Sequence, residues 1–139
     1  MRTAYLTTAG LLLILVASPG YAQRNALADG ICYKFRSHAE QRGCLEAQAE
    51  ASENQLLAAE AQFRRFLGGW DTEAQWRSRA LDAFEGSVAT YRSYRDRQCE
   101  LVASLAAGGN ATSDLRLLCQ IELNKARATY LAADSRGAI

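Results

Sequence analysis

Four cysteines carry most of the chemistry that this chain of 139 residues could perform. They are Cys32, Cys44, Cys99 and Cys119, and all of them lie beyond an apolar N-terminal segment. An even number of cysteines in a small exported protein is typical of a disulfide framework. We therefore expect two disulfides and an oxidising compartment.

The positions of the cysteines favour one of the three connectivities that four cysteines allow. Cys99 and Cys119 each lie about six residues from a predicted loop between two helices. At 1.5 Å per residue, both are roughly 9 Å from the turn and face each other across an antiparallel hairpin. Cys32 and Cys44 would be roughly 18 Å apart on one straight helix, so their pairing requires a break between them. We favour 32–44 together with 99–119.

No other group of side chains in the sequence predicts a catalytic or metal centre. Zinc is the alternative use of the cysteines, but no two of them have C-x-x-C spacing and His38 is the only histidine. His38 has no nucleophile or acid in a recognisable pattern around it, so we expect a surface residue. Without a nucleophile–base set or a phosphate-binding loop, the sequence predicts neither an enzyme nor a cofactor.

The first 22 residues have the parts of a signal peptide. Arg2 is the positive start, residues 4–17 are mostly apolar, and Gly20 and Ala22 offer small side chains for a cleavage site. We predict cleavage after Ala22, which leaves residues 23–139 as a periplasmic or secreted chain without a stable membrane anchor. The alternative is an uncleaved anchor, but the apolar stretch is shorter than the roughly 20 residues that span a bilayer.

Charge and composition exclude one class of partner and favour helices. Cleavage removes one of the sixteen basic residues, which leaves them equal in number to the fifteen acidic ones. A neutral chain lacks the basic face that nucleic-acid binding requires.

The only proline, Pro19, lies in the leader. The remainder is rich in Ala, Leu, Glu, Gln and Arg, which favours helices, and its length fits one domain.

The clearest helical pattern lies in the first half of the mature chain. Apolar and small residues recur there at alternating spacings of four and three, which predicts one helix face: Leu45, Ala49, Ser52, Leu56, Ala59, Phe63 and Phe66. Glu60 and Arg64 are placed for an i,i+4 ion pair. Gly68-Gly69 is expected to end this helix.

Two further helices follow. The second has Asp71 or Thr72 as its expected N-cap, and Gly86 within it is interpreted as a close crossing with another helix. Its apolar seam, with its aromatic residues in the core, is predicted to be Trp76, Ala80, Phe84, Ser87, Tyr91, Tyr94, Gln98, Leu101 and Leu105. The third begins at a cap formed by Thr112 or Ser113 and continues to Leu131.

These segments predict an all-α fold, a small disulfide-stapled bundle of three main helices in a single domain over residues 23–139. A short N-terminal helical arm is expected within residues 23–43, with a turn near His38 or Gly43. This turn would supply the break that a bridge between Cys32 and Cys44 requires.

A run of motifs in the second half of the chain is similar to a known family. Tyr94-Arg95-Asp96-Arg97-Gln98-Cys99 is followed by Gly108-Gly109, by Cys119, and by Arg127 with Leu131. This order resembles the N-terminal domain family of the LprI-type lysozyme inhibitors, small exported proteins of bacterial envelopes. That family has an aromatic-Arg-Asp-x-x-Cys helix end, a Gly-Gly loop, a second cysteine and a later Arg-x-x-x-Leu. The spacing of Cys32 and Cys44 also resembles its N-terminal cysteine pair.

The chain departs from the family pattern at several places. Leu56-Leu57-Ala58-Ala59-Glu60 stands where the family often has Leu-Asn-x-x-Tyr, and Val88 and Tyr91 stand where it often has Gln-x-x-Trp. The founding inhibitor is lipid-anchored, whereas no cysteine stands at the end of this leader. The resemblance implies a helical, disulfide-bonded domain and a lysozyme, or another envelope protein, as the partner.

The loop between the last two helices is a candidate binding element. Lysozyme cleaves with two carboxylates in a cleft, and an inhibitor could fill that cleft with a loop or place an arginine against the acids. Loops on rigid scaffolds often carry recognition, so Gly108, Gly109 and Asn110 form the candidate plug. The alternative is that the two glycines only permit the turn.

The family-motif residues Tyr94, Arg95, Asp96 and Arg127 are candidates for either structure or binding. Arg95 and Asp96 point about 100° apart on a helix, so we expect them to have different partners. A structural role would place Arg95 against a carboxylate or carbonyl of a neighbouring helix, and Asp96 against Arg92 or the next helix. The other interpretation is a binding surface.

The sequence thus predicts a non-catalytic binding protein of the envelope that inhibits a lysozyme by occlusion. The alternative is a structural or stress-related helical envelope protein without an enzyme target. An exposed, charged loop over residues 107–112 would favour the inhibitor. The sequence contains no signal for the oligomeric state.

Overall fold

Three long helices form the part of the chain that the computed structural model describes, which is residues 30, 32 and 37–135. They are α1 (His38–Gly68), α2 (Ala74–Ser104) and α3 (Ala111–Asp134), and no strand occurs in these residues. The predicted bundle of three main helices is confirmed. The predicted signal peptide, and the N-terminal arm apart from Gly30 and Cys32, lie outside the described residues. None of the described helices is long and apolar enough to cross a membrane.

Helices α1 and α3 run side by side in the same direction, and α2 runs antiparallel to both. Ser52 on α1 accepts a hydrogen bond of 3.2 Å from Asn124 on α3. Arg127, near the end of α3, reaches back to Ser87 in the first half of α2. The long helix α2 is therefore the crossover that returns the chain, so that α3 can lie parallel to α1.

Helix α1 begins with a capping box. Ser37 Oγ accepts the backbone N–H of Glu40 at 3.2 Å, and Glu40 Oε2 accepts the backbone N–H of Ser37 at 3.3 Å. The helix then passes through Gly43 without interruption. Of the two turn positions that the sequence predicts, the structure therefore has the one at His38.

The expected N-caps of the other two helices are wrong. Helix α2 begins only after Glu73, whose carbonyl accepts the first bonds of the helix from the backbone N–H groups of Trp76 and Arg77. Helix α3 begins at Ala111 without a side-chain cap. The hydroxyl of Thr112 donates instead to the carbonyl of Gly109 at 2.8 Å.

The core consists of three clusters, two of which contain a disulfide. The first cluster comprises Leu56, Leu67, Phe84, Ala128 and Leu131. The second and third comprise Cys32 with Leu45 and Ile121, and Cys99 with Val102 and Cys119. Both disulfide-containing clusters involve the first half of α3, so one end of the bundle is stapled and the other is held by apolar packing.

Both predicted disulfides are confirmed. The Cα atoms of Cys32 and Cys44 are 6.0 Å apart, and those of Cys99 and Cys119 are 5.4 Å apart. These values lie within the usual range for a bridge. Cys99 and Cys119 face each other across the predicted hairpin, because α2 ends at Ser104 and α3 begins at Ala111.

The predicted seam of α1 is largely confirmed, whereas that of α2 is wrong over much of its length. Phe84 is buried, but the exposed fractions of Trp76, Tyr94, Leu101 and Leu105 are 47%, 52%, 58% and 59%. A seam spaced at 3.5 residues drifts by about 20° per heptad around a straight helix of 3.6 residues per turn. Towards the end of α2, the residues that pack inward are therefore Cys99 and Val102.

Gly86 does not mark a close helix crossing. It is exposed, and a Cβ placed on it would have no atom within 4 Å outside its own helix backbone and chain neighbours. The two glycines inside α1, Gly43 and Gly68, have the same open surroundings as Gly86.

Candidate binding surface and its supporting network

Residues 105–110 form the loop between α2 and α3, here called the α2–α3 loop, and all of them except Ala106 are exposed. Ala107 and Gly108 adopt positive φ angles of 49° and 78°. The backbone N–H of Gly109 donates to the carbonyl of Ala106 at 2.9 Å, and a Cβ on Gly109 would approach that oxygen to 3.1 Å. Left-handed backbone and this close approach explain why glycines stand here.

The far end of the loop is tied to the start of α1. Arg42 Nη2 donates to the carbonyl of Asn110 at 3.3 Å and lies 3.3 Å from Oδ1 of Asp114. His38 Nε2 lies 2.8 Å from Oδ2 of the same carboxylate. The His38 side chain is about half exposed, as predicted, but it has the acidic partner that the sequence pattern did not reveal.

The base of the loop is closed by covalent and ionic links between α2 and α3. The buried disulfide between Cys99 and Cys119 lies beneath it. Arg116 on α3 forms an ion pair of 2.8 Å with Glu100 on α2. These links restrict how far the two helix ends can separate, and so they restrict the loop.

The loop itself carries no charge. Residues 105–113 contain no Asp, Glu, Lys, Arg or His, and the nearest charged side chain along the sequence is Asp114. The exposure that would favour an inhibitor is therefore present, and the charge that would favour it is absent from the loop.

Arg95 is directed into the bundle. Its guanidinium contacts Glu53 on α1 and donates to Oδ1 of Asn124 on α3 at 2.9 Å. The amide of Asn124 donates in turn to Ser52 and Glu53. Burial opposes the positive charge of Arg95, yet Glu53 and Asp96 more than offset it, so the pKa of Arg95 lies above its ordinary value.

The expectation that Arg95 binds a carboxylate of a neighbouring helix is confirmed, whereas the expected partners of Asp96 are wrong. Asp96 Oδ1 accepts a hydrogen bond of 3.2 Å from Nε of Arg95 itself. The two residues share this contact although their side chains leave the helix about 100° apart.

A second buried network surrounds Glu60, which is only 3% exposed. Arg92 on α2 approaches it to 3.0 Å, and Arg127 on α3 to 3.7 Å. The guanidinium of Arg127 also lies 4.5 Å from the centre of the Tyr91 ring, a cation–π contact. Arg127, a family-motif residue, therefore joins α3 to both other helices.

This role of Glu60 was not predicted from the sequence. Its expected ion pair with Arg64 is wrong, because Arg64 binds Glu85 on α2 at 2.5 Å. A signal was present, since Glu60 lies four residues after the buried Leu56 and so on the inward face of α1. The charge of the Glu60 side chain, considered alone, predicts that it faces solvent.

The four family-motif residues therefore separate into two groups. The side chains of Arg95 and Arg127 are only 13% and 16% exposed and bind within the bundle. Tyr94 and Asp96 are exposed. Tyr94 lines a shallow groove of about 440 Å³ with Thr90, Ser93, Arg97, Gln98 and Leu101, so the motif combines structural residues with surface ones.

The described residues contain no group of three or more His, Cys, Asp or Glu side chains that could hold a metal ion. Apart from the disulfides, the chemistry available at this end of the molecule is hydrogen bonding, ion pairing and apolar contact.

Comparison with known proteins identifies the family. No curated protein and no solved structure matches the chain. The family described as Lysozyme inhibitor LprI matches over residues 32–131. The matched range begins at the first cysteine, contains both disulfides and ends at the buried Leu131, so it includes nearly all of the three-helix bundle. The chain belongs to the LprI lysozyme inhibitor family.

Proposed function

We propose that this protein is a non-catalytic inhibitor of a lysozyme that acts in the periplasm or outside the cell by occluding the substrate cleft. In this proposal, residues 1–22 are a signal peptide and residues 23–139 are the mature domain. Two disulfides and membership of an inhibitor family support export. The α2–α3 loop is the element that enters the cleft.

The observation that carries the proposal is the way in which this exposed loop is held. Arg42 binds the carbonyl of Asn110 at one side, and the disulfide between Cys99 and Cys119 closes the base. A loop that is already ordered loses little conformational entropy when it binds, so preorganisation favours affinity. Small side chains at the tip also suit entry into a narrow cleft.

A structural role without an enzyme target is the second candidate, and one observation favours it. Arg95 and Arg127, two of the motif residues that could have met an acidic target, are bound within the bundle. Under this alternative, the family motif serves only to hold three helices together.

Inhibition of cell-wall lysis tests the proposal directly. The oxidised mature protein would be titrated against a panel of lysozymes, and the rate of turbidity loss of a cell-wall suspension would be recorded. We expect saturable inhibition of at least one lysozyme. The absence of inhibition at high micromolar protein for the whole panel would favour the structural alternative.

A bulky substitution in the loop tests the mechanism. Asn110 is exposed and its side chain makes no capping hydrogen bond, so Asn110→Trp should block insertion while leaving the fold intact. The matched control is Ser78→Trp, on an exposed site of α2 roughly 40 Å along the helix from Leu105. Equal inhibition by both variants would contradict insertion of the loop.

A further inference from the structure

An exposed stripe continues from the α2–α3 loop along α2. Tyr94, Leu101 and Leu105 are each more than half exposed. Their spacings of seven and four place them on one face of the helix. Arg97 is exposed beside them and lines the groove between Tyr94 and Leu101. We call these four residues the α2 stripe.

Arg97 supplies the stripe with an unpaired positive charge. The two acidic residues nearest to it along α2 are already bound, Asp96 by Arg95 and Glu100 by Arg116. Arg97 makes no ion pair or hydrogen bond through its side chain with any residue from 37 to 135. Because the whole chain has a formal charge of only +1, this is a local charge that a partner can neutralise.

The size of the loop argues for an additional contact surface. Specific protein interfaces bury about 800 Å² on each partner and involve roughly 20–30 residues a side. The six residues of the α2–α3 loop fall well short of this. Leu105 belongs to both the loop and the stripe, so a partner that receives the loop would also meet the stripe.

The composition of the stripe is that of a binding centre. Tyrosine and arginine are enriched among the residues that dominate interface energies. An arginine guanidinium also presents parallel N–H donors that match a carboxylate. An apolar surface with one free arginine is therefore complementary to an apolar groove that contains carboxylates.

We infer that the α2 stripe is the second contact surface for the lysozyme, and that Arg97 binds an acidic side chain of its cleft. Glycoside hydrolases of this kind hold two carboxylates at the scissile bond. The loop would close the cleft sterically, while Arg97 would bind one of these carboxylates or a neighbouring one. This inference rests on the proposed function and extends it to a named recognition residue.

The test compares two arginines that differ only in position. Arg65 on α1 is also exposed, and no side-chain ion pair or hydrogen bond of Arg65 occurs within residues 37–135. Arg97→Gln and Arg97→Glu would be titrated beside Arg65→Gln and Arg65→Glu in the lysis assay. We expect Arg97→Gln to raise the half-inhibitory concentration at least tenfold and Arg97→Glu to raise it further, with changes below about twofold for the Arg65 variants.

Salt provides a second measurement that separates recognition from folding. Inhibition by the wild-type protein should weaken between 50 and 300 mM NaCl, because salt screens the attraction between exposed charges as the two proteins associate. Arg97→Gln should reduce this dependence. Circular dichroism should show that all four variants are folded.

Failure of the inference and failure of the proposed function give different results. If the wild-type protein inhibits but the Arg97 and Arg65 variants behave alike, the stripe is not part of the interface and the inhibitor function stands. If the wild-type protein inhibits no lysozyme, both are overturned. Sedimentation gives a third result. If the wild-type protein is a dimer and Leu101→Asp converts it into a monomer while inhibition is unchanged, the stripe binds a second copy of this chain, which also overturns the inference.

Discussion

Arg95 on α2 and Asn124 on α3 are joined by a hydrogen bond of 2.9 Å, and the same guanidinium contacts Glu53 on α1. One side chain therefore links all three helices. Arg95 lies four residues before Cys99, so this link sits one helical turn from the disulfide that closes the α2–α3 hairpin. The arginine of the family motif is therefore bound within the bundle, whereas the side chain of Arg97 makes no ion pair or hydrogen bond within residues 37–135.

Replacement of Arg95 should reduce stability more than function. Arg95→Ala leaves the buried amide of Asn124 and the carboxylate of Glu53 without their charged donor. Hydrogen bonds to charged groups contribute about 1.5–3 kcal/mol each. Because Glu53 is about one-third exposed, we expect the lower end of their sum, a loss of about 3 kcal/mol in the free energy of unfolding. Urea denaturation measures this loss. Arg97→Ala, on the exposed stripe, should change stability by less than about 0.5 kcal/mol.

Inhibition by the folded Arg95→Ala protein gives the complementary result. If Arg95 is structural, the fraction that remains folded should inhibit as well as the wild type. A loss of inhibition without a loss of stability would indicate that Arg95 contacts the target directly.

Removal of the negative charge of Glu60 should destabilise the bundle strongly. Glu60→Gln preserves the shape of the side chain but leaves the guanidinium groups of Arg92 and Arg127 facing a neutral amide. Breaking a buried ion pair by removal of one partner costs about 3–5 kcal/mol. We expect about 3 kcal/mol, since Arg92 is partly exposed. The control is Glu46→Gln on the exposed side of α1. Equal urea midpoints for the two variants would contradict the stabilising role of the ion pairs that Glu60 forms.

Two glycine substitutions should have opposite effects. Gly86 lies within α2 in open surroundings, so Gly86→Ala should stabilise the protein by about 1 kcal/mol through helix propensity. Gly108 has a φ of 78°, where an L side chain costs about 1–2 kcal/mol, so Gly108→Ala should destabilise it. Thermal unfolding monitored by circular dichroism would place the two midpoints on either side of the wild-type value. Destabilisation by Gly86→Ala would indicate that another helix does pack closely against Gly86.

Stability should fall at alkaline pH because of Tyr91. Burial raises its pKa above the ordinary value, although Arg95 and Arg127 act in the opposite direction. A raised pKa means that the folded state holds the phenolic proton more tightly than the unfolded chain. This contribution is complete below about pH 10 and is lost as the pH rises through the pKa of the folded state.

Tyr91→Phe isolates this contribution. Within the described residues the Tyr91 hydroxyl is buried and has no hydrogen-bond partner, so its removal should cost little stability at pH 7. Between pH 9 and 11, the free energy of unfolding of the variant should fall less steeply than that of the wild type. Tyr130, whose pKa is raised by its hydrogen bond to Asp134, remains in both proteins. Parallel pH profiles for the two proteins would contradict the burial of the Tyr91 hydroxyl.

The two disulfides should be separable in function. Replacement of Cys99 and Cys119 by alanine opens a span of 20 residues and should lower the free energy of unfolding by about 3 kcal/mol. It should also weaken lysozyme inhibition, because the base of the α2–α3 loop is no longer closed. Replacement of Cys32 and Cys44 should lower stability with a smaller effect on inhibition. Equal effects of the two double variants on inhibition would indicate that loop rigidity is not what matters.

Local features of the sequence were sufficient to predict much of the fold. The spacing of Leu45, Ser52 and Leu56 indicated the buried face of α1, and all three are buried. The predicted pairing of Cys99 with Cys119 required only the helical rise and the position of the Gly-Gly loop. Such features depend on residues that are close along the chain, so they can be derived without knowledge of how the helices pack.

The direction of the charged side chains could not be derived in this way. Arg95 and Arg97 are two residues apart, about 200° around a helix, and only the positions of α1 and α3 decide which of them is enclosed. Their partners are distant in sequence, as Glu53 and Asn124 are from Arg95. The prediction of the apolar seam of α2 was wrong for a related reason. A small error in the assumed number of residues per turn accumulates over the 31 residues of the helix.

The sequence by itself thus determined the three helices and the position of the Gly108-Gly109 loop, and it favoured the pairing of cysteines that the structure has. Helical periodicity, cysteine spacing and the placement of glycines are local properties of the chain. Only the tertiary structure decided that Arg95, Arg127 and Glu60 are internal links and that Tyr94, Arg97 and Leu101 face outward. The physical reason is that burial of a side chain depends on the rotation of each helix about its own axis. That rotation is set by contacts among all three helices together.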